Sequence, residues 1–284
     1  MKPRRSVLYM PGANARAMTK AKDLPCDCII FDLEDAVAPD TKAGARGQIV
    51  QAVTDGGYGY RELIVRANGL DTPWGADDVE AVARLAVDAL LFPKIERVEQ
   101  VEEIIQAVDG AGGGEKAIWL MIETPAGILD LRAFAGSSDR VQALVLGTSD
   151  LVKELRAEHT EGRGNLGYAL QRCVLVARSL DLDILDGVHL DFRNLDTFRS
   201  ACIDAKAMGF DGKTLIHPSQ IEIANEVFGI GADDLGHARA VLSVWRDAQA
   251  GGKGVAVLNG QLVENLHAAE AARVIAYAEA LEGR

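Results

Sequence analysis

Eight short apolar runs rich in strand-forming residues recur along the chain, at Ser6 to Tyr9, Cys28 to Phe31, Leu63 to Arg66, Ala89 to Phe92, Ala117 to Ile122, Ala143 to Leu146, Asp183 to Leu185 and Gly212 to Ile216. Segments able to form helices separate them. Runs this short and apolar, divided by helices, predict strands buried on both faces and therefore parallel βαβ units. The stretch after the fourth run shows the helical period directly, with Val98, Val101, Ile104, Ile105 and Val108 on one face. Eight such units close a (β/α)8 TIM barrel, whereas a doubly wound sheet uses fewer strands and carries a glycine-rich fingerprint after its first. Here the first run enters Met10-Pro11-Gly12-Ala13-Asn14, which lacks that fingerprint. Gly110 to Gly114 precedes a strand rather than following one and reads as a flexible loop.

The length of 284 residues suits one such α/β barrel, predicted over residues 1–225. Beyond Pro218 the chain continues into more helix, then a glycine-containing stretch, Gly251 to Gly260, and an alanine-rich helix from about Asn265 to Leu281. Residues 226–284 are thus surplus to the barrel and read as a C-terminal helical extension, a lid or an arm reaching a neighbouring subunit. The charge of -12 argues against nucleic acid or an anionic membrane as the principal partner. Cys26, Cys28, Cys173 and Cys202 form no Cys-x-x-Cys pair and have no histidine at zinc spacing, so they are read as reduced thiols. No apolar stretch has the length of a signal peptide or membrane span, which makes the cytoplasm the expected compartment.

In a barrel of this kind the active site forms where the strands end. The second run ends in Phe31-Asp32-Leu33-Glu34-Asp35, the fifth in Ile122-Glu123-Thr124-Pro125 and the sixth in Gly147-Thr148-Ser149-Asp150. Carboxylates gathered at one mouth repel each other unless a cation or protons neutralise them, and hard oxygen donors suit Mg2+ or Mn2+. Glu123 and Asp150 are the favoured ligands; a lone acid at such a place otherwise caps the next helix. Arg66 closes the third run and suits a carboxylate or a developing enolate. Lys94 follows the fourth run and reads either as a substrate contact or as an ion-pair partner of a mouth acid. His217 reads either as a site residue or as a histidine packed under a loop. No lysine is poised for a Schiff base, and no Ser, His and Asp set indicates acyl-enzyme chemistry.

These stretches, with Arg5-Ser6, Pro11-Gly12, Val65 to Gly69, Pro93 to Glu96, Asp186-Gly187-Val188 and Gly209 to Gln220, follow in order along most of the chain. In that order they resemble the citrate lyase β subunit family, which includes malyl-CoA and citramalyl-CoA lyases within the HpcH/HpaI aldolase group. The resemblance implies a barrel, commonly trimeric, with Mg2+ on the acids matching Glu123 and Asp150. It implies that Arg66 meets the small acid and that Glu34 and Asp35 support the site, with Asp32 structural or supporting. In CoA-dependent members a C-terminal segment brings a catalytic Asp to a neighbouring site. Here Glu264 stands in that place, in Gln261-Leu262-Val263-Glu264-Asn265-Leu266, and Leu266 replaces a proline that many relatives carry. Glu264 then keeps the acid/base role, serves another reaction, or begins the last helix.

The activity so implied is reversible cleavage of a 3-hydroxyacyl-CoA, such as malyl-CoA or citramalyl-CoA, into acetyl-CoA and a 2-oxo acid. Alternatives are a citrate lyase β subunit acting on a carrier-bound acyl group, a malyl-CoA thioesterase, and a non-enzymatic scaffold. Arg16, with Arg4, Arg5, Lys20 and Lys22, lies near the first strand, where the group reads either as contacts to CoA phosphates or as a solvated basic face.

Overall fold

A computed structural model describes residues 2–284. In chain order its barrel strands are β1 Ser6–Pro11, β2 Cys28–Asp32, β3 Glu62–Arg66, β4 Ala89–Phe92, β5 Ala117–Ile122, β6 Val141–Leu146, β7 Asp183–Asp186 and β8 Gly212–Leu215. Each pairs in parallel with the next, and β8 returns to β1, so the sheet closes. Its helices are α1 Ala15–Ala21, α2 Lys42–Asp55, α3 Gly75–Val82, α4 Val98–Gly110, α5 Pro125–Ala135, α6 Thr148–Glu154, α7 Gly167–Ser179, α8 Leu195–Met208 and α9 Ile221–Val227. All eight predicted strands form. Backbone pairing with neighbours carries β1 and β2 past their apolar runs to Pro11 and Asp32 and starts β6 at Val141.

Period-two alternation divides the strand residues between two cores. Val7, Ile30, Ile64, Leu91, Trp119, Val145 and Leu185 fill the barrel interior. Leu8, Ile29, Val65, Leu90, Ile118, Leu144 and Ile184 face the helices. On β3 the inward positions are Glu62, Ile64 and Arg66, so a charged residue stands at each end of one apolar layer. At the end where the strands begin, Arg4 binds Glu62 at 2.7 and 2.8 Å and Asp183 at 2.6 Å, and lies 4.7 Å from the Trp119 ring centroid. Arg5 pairs with Asp27 at 2.8 Å. The phosphate-contact reading of Arg4 and Arg5 is therefore corrected: buried carboxylates claim both guanidiniums at the end of the barrel opposite the strand termini.

The barrel unit spans Arg4–Phe228. Residues from Gly229 onward, with those up to Pro3, form a second compact unit. In it, helices α10 Ala232–Ala250 and α11 Asn265–Glu282 pack through Ala238, Val241, Trp245, Ala268 and Ala271. Between them, part of the glycine-containing stretch forms a hairpin, β9 Ala256–Leu258 antiparallel to β10 Gln261–Val263. Asn259 and Gly260 at its tip have φ of 50° and 79°, the two left-handed residues that a type I′ turn requires. Among the described residues no helix is long and apolar enough to cross a membrane.

Candidate active site

The same alternation that fills the barrel aims the site residues. Inward Cys28 and Ile30 put Asp32 inward; Ile64 does so for Arg66; Trp119 and Met121 do so for Glu123. Asp32 and Arg66 are register partners on the last rung of β2 and β3. The guanidinium grips the carboxylate with two bonds, Nε to Oδ1 at 2.7 Å and Nη2 to Oδ2 at 2.6 Å. Asp32 also accepts the backbone N–H groups of Glu34 and Ala36, at 2.9 and 3.1 Å. One buried acid thereby fixes both the arginine and the loop that carries Glu34 and Asp35.

The Glu34 carboxylate oxygen Oε2 lies 2.7 Å from Arg66 Nη1, and Oε1 lies 3.8 Å from Lys94 Nζ. Burial pushes the Glu34 carboxyl up to about 7; Arg66 opposes the rise, and Asp35 and Asp32 add to it. Asp35 is 61% exposed. Lys94 takes a left-handed φ of 53°, and its backbone N–H donates to Glu123 Oε1 at 3.0 Å. Its side chain is half exposed, and the Glu34 contact supplies the ion pair that the sequence offered as one of its two readings.

Glu123 is buried, with 2% of its surface exposed. Burial, then the charges of Glu34 and Asp150, push its carboxyl up to about 8. Directly after β6, at the N-cap of α6, stands Gly147, where a Cβ would come 2.5 Å from the Glu123 Cβ and collide with its carboxylate. Asp150 lies in the first turn of α6. Arg66, Glu123 and Asp150 line a cavity of 390 Å³ together with Tyr9, Asp35, Met121 and Thr214. Glu34, Asp35 and Lys94 line a neighbouring chamber of 780 Å³.

Does this donor set fit a divalent cation? Glu123 is a buried carboxylate whose charge is only partly compensated, and a cation would reverse the repulsion that raises its pKa. All donors are hard oxygens. Among the described residues no three His, Cys, Asp or Glu side chains gather in a ligand cluster. Mg2+ takes oxygen donors of this kind, accepts one or two protein carboxylates and fills its octahedron with water and substrate oxygens.

The structure thus brings Glu34, Asp35, Arg66, Lys94, Glu123 and Asp150 to one end of the barrel. Arg16 lies in the first turn of α1, just after the end of β1, where it is exposed and lines neither cavity. Glu264, in the C-terminal unit, is the N-cap of α11, in a capping box with His267; its backbone N–H donates to His267 Nδ1 at 3.0 Å. His217 stacks on Phe192, with centroids 4.8 Å apart, and bonds Ser219 at 2.8 Å, away from both cavities. The sequence reading overlooked Tyr9, Met121 and Thr214, which the inward period of β1, β5 and β8 identifies. It also passed over a buried network, in which Asp186 binds Lys213 Nζ at 2.5 Å and Arg163 at 2.7 and 2.9 Å.

The family pattern described as HpcH/HpaI aldolase/citrate lyase matches residues 5–218. A (3S)-malyl-CoA thioesterase of Cereibacter sphaeroides (strain KD131) is 43% identical, over 98% of this chain and 96% of its own. The citrate lyase subunit beta of Escherichia coli (strain K12) is 35% identical, over 92% of this chain and 88% of its own. Among solved structures, protein CitE from Mycobacterium tuberculosis, in complex with magnesium, acetoacetate and coenzyme A, superimposes with a TM-score of 0.77. It is 26% identical and covers 96% of this chain and 97% of its own.

Proposed function

The chain belongs to the HpcH/HpaI aldolase/citrate lyase family, and on that basis we propose that it is a magnesium-dependent enzyme acting on a short 3-hydroxyacyl thioester of the malyl-CoA type, with hydrolysis as its net reaction. The observation that carries the reading is the buried, under-compensated Glu123 carboxylate, which lines a cavity of 390 Å³ with Asp150 and Arg66. That space suits a small dicarboxylic acid, while the carrier arm of a thioester extends outward from it. The near full-length likeness to a (3S)-malyl-CoA thioesterase supports hydrolysis as the outcome.

Mg2+ held by Glu123 and Asp150 would polarise an oxygen of the acid group and orient it. Arg66, held by Asp32, offsets negative charge on the substrate. Water adds to the thioester carbonyl carbon, the carbon–sulfur bond breaks, and the thiol leaves with a proton. Glu34, with its carboxyl near neutrality, takes up and returns the proton at this end of the barrel. The enzyme works in the cytoplasm as a homotrimer, with Glu264 reaching a neighbouring site.

Carbon–carbon cleavage is the second reading, supported by the citrate lyase relatives. Purified protein is incubated with (3S)-malyl-CoA and Mg2+, and the products are resolved by chromatography beside a Glu123→Ala control. Free CoA with malate and no glyoxylate supports hydrolysis. Acetyl-CoA with glyoxylate establishes cleavage instead. No turnover of the free CoA ester points to an acyl group presented on a carrier protein.

A further inference from the structure

Tyr9 occupies an inward position of β1 and lines the 390 Å³ cavity together with Arg66, Met121, Glu123 and Thr214. Its ring packs on the Arg66 guanidinium, with Cζ 4.9 Å from the ring centroid. Arg66 itself is largely committed: Nε and Nη2 go to Asp32, and Nη1 faces Glu34. The Tyr9 hydroxyl differs. It has no hydrogen-bond partner among the described residues, yet it is not among the polar atoms sealed away without one, so it opens on the cavity. Burial raises its pKa, with Arg66 opposing and Asp32, Glu123 and Glu34 reinforcing, so the phenol stays protonated over the working range.

From this geometry we propose that the Tyr9 hydroxyl is a substrate-binding donor, giving its hydrogen bond to an oxygen of the small oxo or hydroxy acid that enters the cavity. A donor on the cavity wall meets the acid portion, because the thioester arm has to leave through the mouth. The guanidinium beneath the ring favours a negatively charged acceptor at that place. Tyr9 therefore contributes to selecting substrates that bear an oxygen there, beside the charge that Arg66 offsets. The inference rests on the reading of this cavity as an acid-binding site.

The test is calorimetric titration of glyoxylate, pyruvate and malate, each with Mg2+, into the wild type and Tyr9→Phe. Phenylalanine keeps the ring and its packing on Arg66, so thermal unfolding and Mg2+ binding alone stay as in the wild type. Affinity for the acid is expected to fall about ten- to a hundredfold, as loss of a hydrogen bond to a charged group implies. The kcat/KM for the thioester falls by the same factor. Equal binding of the acid by Tyr9→Phe overturns the proposal, whatever reaction the enzyme performs. So does a wild type that binds none of the three acids. A wild type that binds them but turns over no acyl thioester instead overturns the proposed reaction and leaves the role of Tyr9 standing.

Discussion

Asp32 and Arg66 face each other on the last rung shared by β2 and β3, joined by hydrogen bonds of 2.7 and 2.6 Å, and Asp32 also binds two backbone N–H groups of its own loop. Arg66 thus owes its place to Asp32. Asp32→Asn keeps the shape but removes the charge opposite a buried guanidinium. Removing one partner of such a pair costs ~3 kcal/mol, and a misplacement of ~1 Å at a reacting group costs on the order of a hundredfold in rate. Denaturant unfolding and thioester kinetics should therefore both show a loss. A variant as stable and as active as the wild type would mean that Arg66 is positioned by something else.

The carboxyls of Glu34 and Glu123 are pushed up to about 7 and about 8, from an ordinary value of 4.5. The folded, metal-free protein therefore binds protons that the unfolded chain has already released. The stability these groups contribute is complete below pH 4.5 and is lost as the pH rises through about 8. Melting in chelator from about pH 5 to about pH 9 should show this decline. Added Mg2+ should oppose it and displace a proton as it binds, so its affinity rises with pH over the same window. Glu123→Gln should flatten the decline and abolish the Mg2+ effect. A chelator-treated protein whose melting is indifferent to pH, with Glu123→Gln unchanged from it, would contradict the assignment.

Much of this arrangement was legible beforehand, and the reasons are specific. Parallel strands buried on both faces read as continuous apolar runs, so all eight appeared, and Glu123, Asp150 and Arg66 followed from where those runs stop. A tyrosine inside an apolar run carries no such mark: Tyr9 looks like core until strand parity aims it into the cavity. Lys213 and Asp186 lie in strands whose neighbours suggest packing, and only tertiary pairing makes burial of an ammonium acceptable. Arg4 and Arg5 read as a basic patch because Glu62, Asp183 and Asp27 are distant in sequence. The β9–β10 hairpin did leave a local signal, Asn259-Gly260, but its strands are only three residues each.

Gly147 links β6 to α6, and the Glu123 side chain occupies the space where its Cβ would stand. Gly147→Ala forces the carboxylate to move while leaving its chemistry intact. Mg2+ affinity should fall about tenfold or more, in line with the loss caused by disturbing groups that orient a ligand. Titration of Mg2+ measures this directly, and circular dichroism reports whether the barrel survives. An alanine variant that binds Mg2+ as tightly as the wild type would show that Glu123 can relocate without consequence.

Glu264 begins α11 as its N-cap, in a capping box with His267, which accepts its backbone N–H. Acid/base work and helix initiation make opposite demands on that side chain. Glu264→Gln keeps the length and polarity but cannot exchange a proton; Glu264→Asp keeps the acid and is the better helix cap. If the carboxylate handles protons, the Gln variant should lose about a hundredfold or more in turnover while the Asp variant keeps part of the activity. If it only starts the helix, both should retain turnover, with changes confined to the melting temperature. The reaction adds a further discriminant. Carbon–carbon bond formation needs a base for the acetyl methyl group, so deuterium exchange into acetyl-CoA should disappear with Glu264→Gln in a lyase. Hydrolysis needs no carbon acid, and a protein that hydrolyses malyl-CoA without exchanging those protons would leave Glu264 to assist water or the leaving thiol.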